Sequence, residues 1–176
     1  MKNRAIFLDR DGVINKDVGF LTSWRQFDFI PGFLDALKLI KRNSFLAIVV
    51  TNQSHINRNL ITETELKIIH AKMIKSIKFS GTKLDDIFYC KHIPEDNCDC
   101  RKPKPGMILK AAEKYNINLE ESYMIGDKET DIDLGLCVGC KTILLNGTTY
   151  LTKADFTAKN WEDIINHLNL WRKKNV

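Results

Sequence analysis

The sequence predicts an α/β fold, a doubly wound five-stranded parallel sheet with helices on both faces. Three observations carry this expectation. Short, continuous apolar runs recur along the chain, as at Ala5-Ile6-Phe7-Leu8 and Phe45-Leu46-Ala47-Ile48-Val49-Val50. Continuity, as opposed to alternation, is the mark of strands covered on both sides. Between these runs lie segments with apolar residues at helical spacing. Several runs also stop at carboxylate, hydroxyl or amide side chains, which would put polar groups at the carboxyl edge where open α/β sheets bind ligands. Helices alternating with strands then require right-handed crossovers.

Taken in order, the first strand is Ala5 to Leu8, ending in Asp9-Arg10-Asp11-Gly12. Residues 13–30 keep neither helical nor strand period and read as a flap over the acids. Pro31-Gly32 opens a helix to about Arg42, with Phe33, Leu34, Leu37 and Ile40 on one face. The second strand, Phe45 to Val50, ends in Thr51-Asn52. Thr62 with Glu65 three residues later is a capping box, opening a helix from Glu63 to about Phe79. Leu66, Ile69, His70, Met73, Ile74 and Ile77 form its apolar face, with His70 a core or boundary histidine and not a ligand. Ile87-Phe88-Tyr89 is the third strand, and Pro105-Gly106 opens a helix to about Tyr115. Tyr123-Met124-Ile125 is the fourth, followed by Gly126-Asp127 and a helix from Asp131 to about Leu136. Lys141 to Leu145 is the fifth, and Trp161 to Trp171 is a closing amphipathic helix. The whole chain, 1–176, reads as one domain without a separate cap.

Composition narrows the function classes. A formal charge of +5 suits an anionic ligand, yet the basic residues are dispersed, which argues against nucleic acid. A small cluster at Arg172-Lys173-Lys174 suits a solvated helix end. No apolar run approaches membrane length, and the start lacks a signal-peptide core. The expectation is a cytoplasmic protein, monomeric, without membrane or nucleic-acid partners. Five cysteines in such a chain point to metal ligation or free thiols, not disulfides.

Asp9 and Asp11 are the centre of the chemistry. Two like charges so close are unfavourable unless a cation lies between them or one is protonated. That leaves a metal site, an acid beside a nucleophile, or both. A second cluster is Cys90-Lys91-His92, five residues, then Cys98-Asp99-Cys100. Two such pairs across a short loop supply four ligands suited to tetrahedral Zn²⁺, so residues 90–100 read as a zinc loop. The metal would fix Arg101 and Lys102, which follow directly. Cys137-Val138-Gly139-Cys140 has no second pair, and core packing is its better reading.

Four motifs appear in sequence order: DRDG at Asp9–Gly12, VVTN at Val49–Asn52, RKPKPG at Arg101–Gly106 and GDKETD at Gly126–Asp131. Together they resemble the haloacid dehalogenase (HAD) superfamily of phosphohydrolases, over nearly the whole chain. The resemblance implies a HAD-like Rossmannoid fold without a cap. In that chemistry Asp9 attacks phosphorus, Asp11 protonates the leaving oxygen, and Mg²⁺ sits between Asp9, the Asp11 backbone carbonyl and Asp127. Thr51 and Lys102 hold phosphoryl oxygens. Asp131 is assigned a supporting role or a place on the helix surface.

The zinc loop narrows the resemblance to the D-glycero-D-manno-heptose 1,7-bisphosphate 7-phosphatases and, more distantly, the histidinol-phosphate phosphatases. The former imply a phosphorylated sugar substrate contacted by Asp17, Gly19, Phe20, Asn52, Gln53, Ser54, Arg101 and Lys128. Two departures stand in the loop after the Thr-Asn-Gln-Ser stretch: His55 and Asn59 occupy positions where that branch usually has glycine. Histidinol phosphate remains the alternative substrate, since the metal loop is short. A zinc-stabilised binding module without catalysis is the alternative of another class, disfavoured because a retired site has no need of the full acid set.

Overall fold

The computed structural model describes residues 2–146 and 152–174, with the side chains of the last helix described as far as Leu168. The Arg172–Lys174 side chains lie outside the described residues. Among the described residues the regular elements in chain order are β1 (Arg4–Leu8), α1 (Phe33–Arg42), β2 (Phe45–Asn52), α2 (Glu63–Phe79), β3 (Asp86–Cys90), α3 (Gly106–Tyr115), β4 (Tyr123–Gly126), α4 (Glu129–Cys137), β5 (Lys141–Leu145), β6 (Phe156–Ala158) and α5 (Trp161–Lys174). Short 3₁₀ turns lie at Trp24–Gln26 and Pro94–Asp96.

Among the described residues the sheet has six parallel strands in the order β3-β2-β1-β4-β5-β6. The expected count of five omitted β6. Three residues are too few to show a period, and β6 is defined by its partner instead. Asp155, just before it, accepts from Thr142 N at 2.7 Å and Thr142 Oγ1 at 2.9 Å, which fastens β6 to β5.

Alternate residues along β1 and β2 enter opposite cores, as the strand period requires. Ile6, Leu8, Ala47 and Val49 meet Phe33, Leu37 and Ile40 of α1 and Trp161 of α5. Ala5, Phe7, Ile48 and Val50 meet Ile108 and Ala111 of α3 and Leu134 of α4. With both faces covered, the sheet has no polar side, which accounts for the continuous apolar runs. The capping box on α2 forms in both directions, with Thr62 N donating to Glu65 Oε2 at 2.7 Å and Glu65 N donating to Thr62 Oγ1 at 3.2 Å. His70 is buried on the inner face of α2, whereas Ile74, expected beside it, faces solvent. Cys140 packs in the core but Cys137 is exposed, so core packing holds for only one of the pair.

The 13–30 segment divides in two. Val13 and Ile14 are buried, and Trp24, Phe27, Phe29 and Phe33 form a ladder of ring contacts leading to Trp161. The Trp161 indole donates to Val13 O at 2.9 Å. Asp17, Gly19 and Phe20 of this segment border the cleft. Among the described residues no helix is long and apolar enough to cross a membrane.

Candidate active site

The site lies where the strand order reverses, between β1 and β4, at their carboxyl ends. Asp9 follows β1 directly, and its backbone N–H donates to Ile125 O at 3.0 Å, which docks it against β4. Asp127 follows β4. Gly12 makes their approach possible: at φ +85°, a Cβ there would stand 2.1 Å from Asp127 Oδ2. Gly126 does the same for α4, since a Cβ would meet Asp131 Cβ at 2.0 Å.

Lys102 is the cation of this cluster. Its Nζ lies 2.8 Å from Asp9 Oδ1 and 2.6 Å from Asp131 Oδ1, and donates to Val50 O at 3.1 Å. Burial alone would lower its pKa, but the charges of Asp131 and Asp9 outweigh that and raise it. Burial raises Asp9 to about 6 against the opposing pull of Lys102. Burial and then the charge of Asp9 raise Asp127 to about 7. Its Oδ1 is buried with no hydrogen-bond partner. The carboxylates of Asp9, Asp127 and Asp131 converge within 4.8 Å. Three acids against one buried lysine leave excess negative charge in an all-oxygen donor set, which fits a hard divalent cation such as Mg²⁺.

Asp131 was expected to support the site or to lie on the helix surface. The second option is ruled out: it is buried, bound to Lys102, and its Oδ2 accepts from Lys128 N at 3.2 Å. The signal available in sequence was its spacing of four from Asp127. That puts it one turn into α4, directly over the strand end.

Asp11 stands apart from this cluster. Arg10 Nη2 is 2.8 and 2.6 Å from its two oxygens, Asn15 Nδ2 donates to Oδ1 at 2.9 Å, and Gln53 Nε2 to Oδ2 at 3.0 Å. Burial would raise its pKa, but the Arg10 charge and these hydrogen bonds hold it below the ordinary value. The turn after β1 sets the direction of Asp11. The chain turns at once after β1, with Ile14 N donating to Arg10 O at 2.8 Å.

The cleft has a volume of about 310 Å³ and is lined by Asp9, Asp11, Asp17, Gly19, Phe20, Thr51, Asn52, Ser54, Arg101, Lys102 and Lys128 among the expected residues. His55, Thr130 and Asp131 line it as well. Gln53 is fully buried behind the wall, and its amide N–H groups go to Asp11 and Thr51 Oγ1 (2.9 Å). Asn52 clamps the Lys102 backbone, accepting from Lys102 N at 3.0 Å and donating to Lys102 O at 3.2 Å. Lys128 Nζ bridges to Asp17 Oδ2 at 3.0 Å, both residues lining the cleft. Asn59 takes φ +56°, the left-handed conformation that asparagine tolerates, and His55 does not adopt positive φ.

The second cluster also assembles. The Sγ atoms of Cys90, Cys98 and Cys100 lie 3.2–3.6 Å apart, and His92 Nδ1 is 3.5 Å from Cys90 Sγ and 3.4 Å from Cys100 Sγ. Zn–S bonds of about 2.3 Å at tetrahedral angles put sulfurs somewhat under 4 Å apart, so this donor set fits zinc. Arg101 follows this loop and donates through Nη1 to His92 O at 3.0 Å.

A HAD-hydrolase-like family model matches residues 99–169. The D-glycero-beta-D-manno-heptose-1,7-bisphosphate 7-phosphatase of Helicobacter pylori is 44% identical over 144 residues, spanning 81% of this chain and 83% of that protein. The enzyme of the same name from Escherichia coli K12 is 39% identical over 166 residues, spanning 89% and 86%. Among solved structures, a D,D-heptose 1,7-bisphosphate phosphatase from B. bronchiseptica, complexed with magnesium and phosphate, superposes with a TM-score of 0.88 at 30% identity, covering 95% of this chain and 98% of that one.

Proposed function

The chain belongs to the D-glycero-D-manno-heptose 1,7-bisphosphate 7-phosphatase family of HAD-like hydrolases, and from that premise we propose that it removes the C7 phosphate of the heptose bisphosphate through an aspartyl-phosphate on Asp9. The observation that carries this reading is the setting of Asp9: a buried carboxylate at the strand-order reversal, 2.8 Å from Lys102 and gathered with Asp127 and Asp131.

Asp9 is the nucleophile, its oxygen forming a bond to phosphorus as the ester P–O bond breaks. Arg10 and its other donors favour the Asp11 carboxylate, so the proton that Asp11 gives to the departing C7 oxygen is one it takes up as the substrate dianion binds beside it; Asp11 then takes a proton from the water that opens the aspartyl-phosphate. Gln53 acts on Asp11 and Thr51 and does not touch substrate. The Thr51 hydroxyl and the Lys102 ammonium offset charge on the transferring phosphoryl group. Asp9, Asp127 and the Asp11 carbonyl would hold Mg²⁺, with Asp131 beside them. When bound, the ion supplies further neutralisation of phosphoryl oxygens. Cys90, His92, Cys98 and Cys100 would hold zinc, keeping Arg101 and Lys102 in place. Arg101, Lys128, Ser54 and the Asp17–Phe20 stretch contact the remainder of the substrate. The names of the relatives favour the β anomer at C1. We place the enzyme in the cytoplasm as a monomer, and light scattering on the purified protein checks the latter.

The test is phosphate release across sugar bisphosphates, sugar monophosphates and histidinol phosphate. The heptose 1,7-bisphosphate is expected to have the highest kcat/KM, and Asp9→Asn to abolish turnover while leaving the circular dichroism spectrum unchanged. Faster hydrolysis of histidinol phosphate by the wild type would reassign the substrate, and normal turnover by Asp9→Asn would end the covalent mechanism.

A further inference from the structure

A guanidinium keeps its charge in a protein and presents donors in a rigid plane, so burying one calls for an anion and for acceptors set in that plane. Arg10 is completely buried. Its anion is its own neighbour, Asp11, both of whose oxygens are within 2.8 Å of Nη2. On the other side Nη1 lies 3.4 Å from Nε2 of His70, a buried residue of α2 sixty positions away in sequence. Because arginine only donates, His70 must accept at Nε2 and carry its own proton on Nδ1. The His70 ring is held in turn against Tyr89 on β3, edge to face at 5.8 Å. A line of contacts thus runs from β3 through α2 to the Asp11 carboxylate.

We propose that Arg10, oriented by His70, is a positioning residue that sets the angle of the Asp11 carboxyl toward the leaving oxygen of the substrate. The proposal rests on the reading of Asp11 as the proton donor. As the P–O bond breaks, its electron pair goes to the C7 oxygen, which takes the proton of Asp11, while the Asp9 oxygen closes the new bond to phosphorus. A carboxyl free to rotate would spend little of its time aimed at that oxygen. Arg10 sees both carboxyl oxygens from one nitrogen, so a proton on either still leaves an acceptor for it. Stability alone is a weak reason to bury this group, because replacing a buried ion pair with apolar side chains is often neutral or stabilising.

The test separates leaving groups. An alkyl phosphate such as the heptose ester needs the proton, and an aryl phosphate such as p-nitrophenyl phosphate leaves without it. kcat/KM covers only the steps through release of the first product, so the second half of the reaction does not enter. Arg10→Lys keeps the charge and loses the planar fork that spans Asp11 and His70. It is expected to lower kcat/KM on the alkyl ester by roughly ten- to a hundredfold and on the aryl ester by less than about threefold. His70→Leu, which keeps the arginine, is expected to show the same split at smaller size. His70→Gln, which retains an acceptor, should return the ratio close to that of wild type. Equal losses on both esters in folded Arg10→Lys and His70→Leu would mean a purely structural role and overturn the proposal, as would no loss on either. Asp11→Asn fixes the largest split to be expected. Should it show none, Asp11 is not the donor and the proposal goes with it. A wild type that prefers another sugar phosphate would instead revise the substrate, and the same comparison runs on that ester.

Discussion

Arg101 borders the cleft while one of its nitrogens is tied to the His92 carbonyl, the double engagement that a recognition residue needs. A bisphosphate carries a second dianion, and burying it without a cation costs several kcal/mol. Arg101 offers a fork for that group, and Lys128 a point charge already paired with Asp17. Arg101→Ala is expected to lower kcat/KM by roughly ten- to a hundredfold, the loss of one charge-assisted contact. The loss should be larger on the heptose bisphosphate than on a generic monophosphate, and steady-state kinetics on both substrates decide it. Residue identity alone suggests these roles, because charge and chemistry belong to the side chain, and both residues line the cleft. It could not foretell that Asn52 braces the Lys102 backbone from the cleft wall, or that Gln53 is buried behind the wall against Asp11, since that depends on which neighbours the fold brings to about 3 Å.

Two short elements hold the reactive groups at their spacing, and each makes a prediction. At the junction of β4 and α4, Gly126 leaves no room for a methyl group beside Asp131. Gly126→Ala should push α4 off the strand end and cost about 3 kcal/mol, at the upper end of overpacking penalties. Thermal unfolding reports that loss, and phosphatase kinetics report the accompanying displacement of Asp131 from Lys102. An unchanged melting temperature would contradict the packing described here. The loop that carries the Cys90, His92, Cys98 and Cys100 cluster is the other element. Metal analysis of protein purified without chelators should find about one zinc per chain, and Cys98→Ser or Cys100→Ser should lower that content and loosen Arg101 and Lys102. Activity should then fall without a change in the Mg²⁺ concentration needed for half-maximal rate. Protein free of zinc yet fully active would remove the structural role of the loop.

At the scale of the whole molecule, the buried histidine on α2 links stability to acidity. Burial, and then the charge of Arg10, lower the His70 pKa to about 3. The unfolded chain takes up a proton at this residue near pH 6.5, and the folded chain does so only near 3. Stability from this group is therefore complete above about pH 6.5 and is lost as pH falls from there toward 3. Between pH 7.5 and pH 5 the loss is about 2 kcal/mol for a group shifted this far. His70→Gln should remove that part of the acid sensitivity, and urea unfolding at the two pH values measures it. Equal pH dependence in the variant and the wild type would refute the assignment.

The sequence by itself determined the class of fold, five of the six described strands, and the residue types that gather in each of the two clusters. Each of these rests on local rules: continuous apolar runs for doubly covered strands, a capping box for α2, four thiol and imidazole ligands within eleven residues of one another. Tertiary structure alone decided the rest. β6 exists because Asp155 meets Thr142, not because three residues prefer to be extended. Asp131 enters the site because Gly126 lets α4 descend onto β4, and Asp11 takes its orientation from an arginine beside it and a histidine sixty residues beyond that. A side chain carries its charge with it, but its partners, and hence its pKa and its aim, come from the packing of elements distant in the chain.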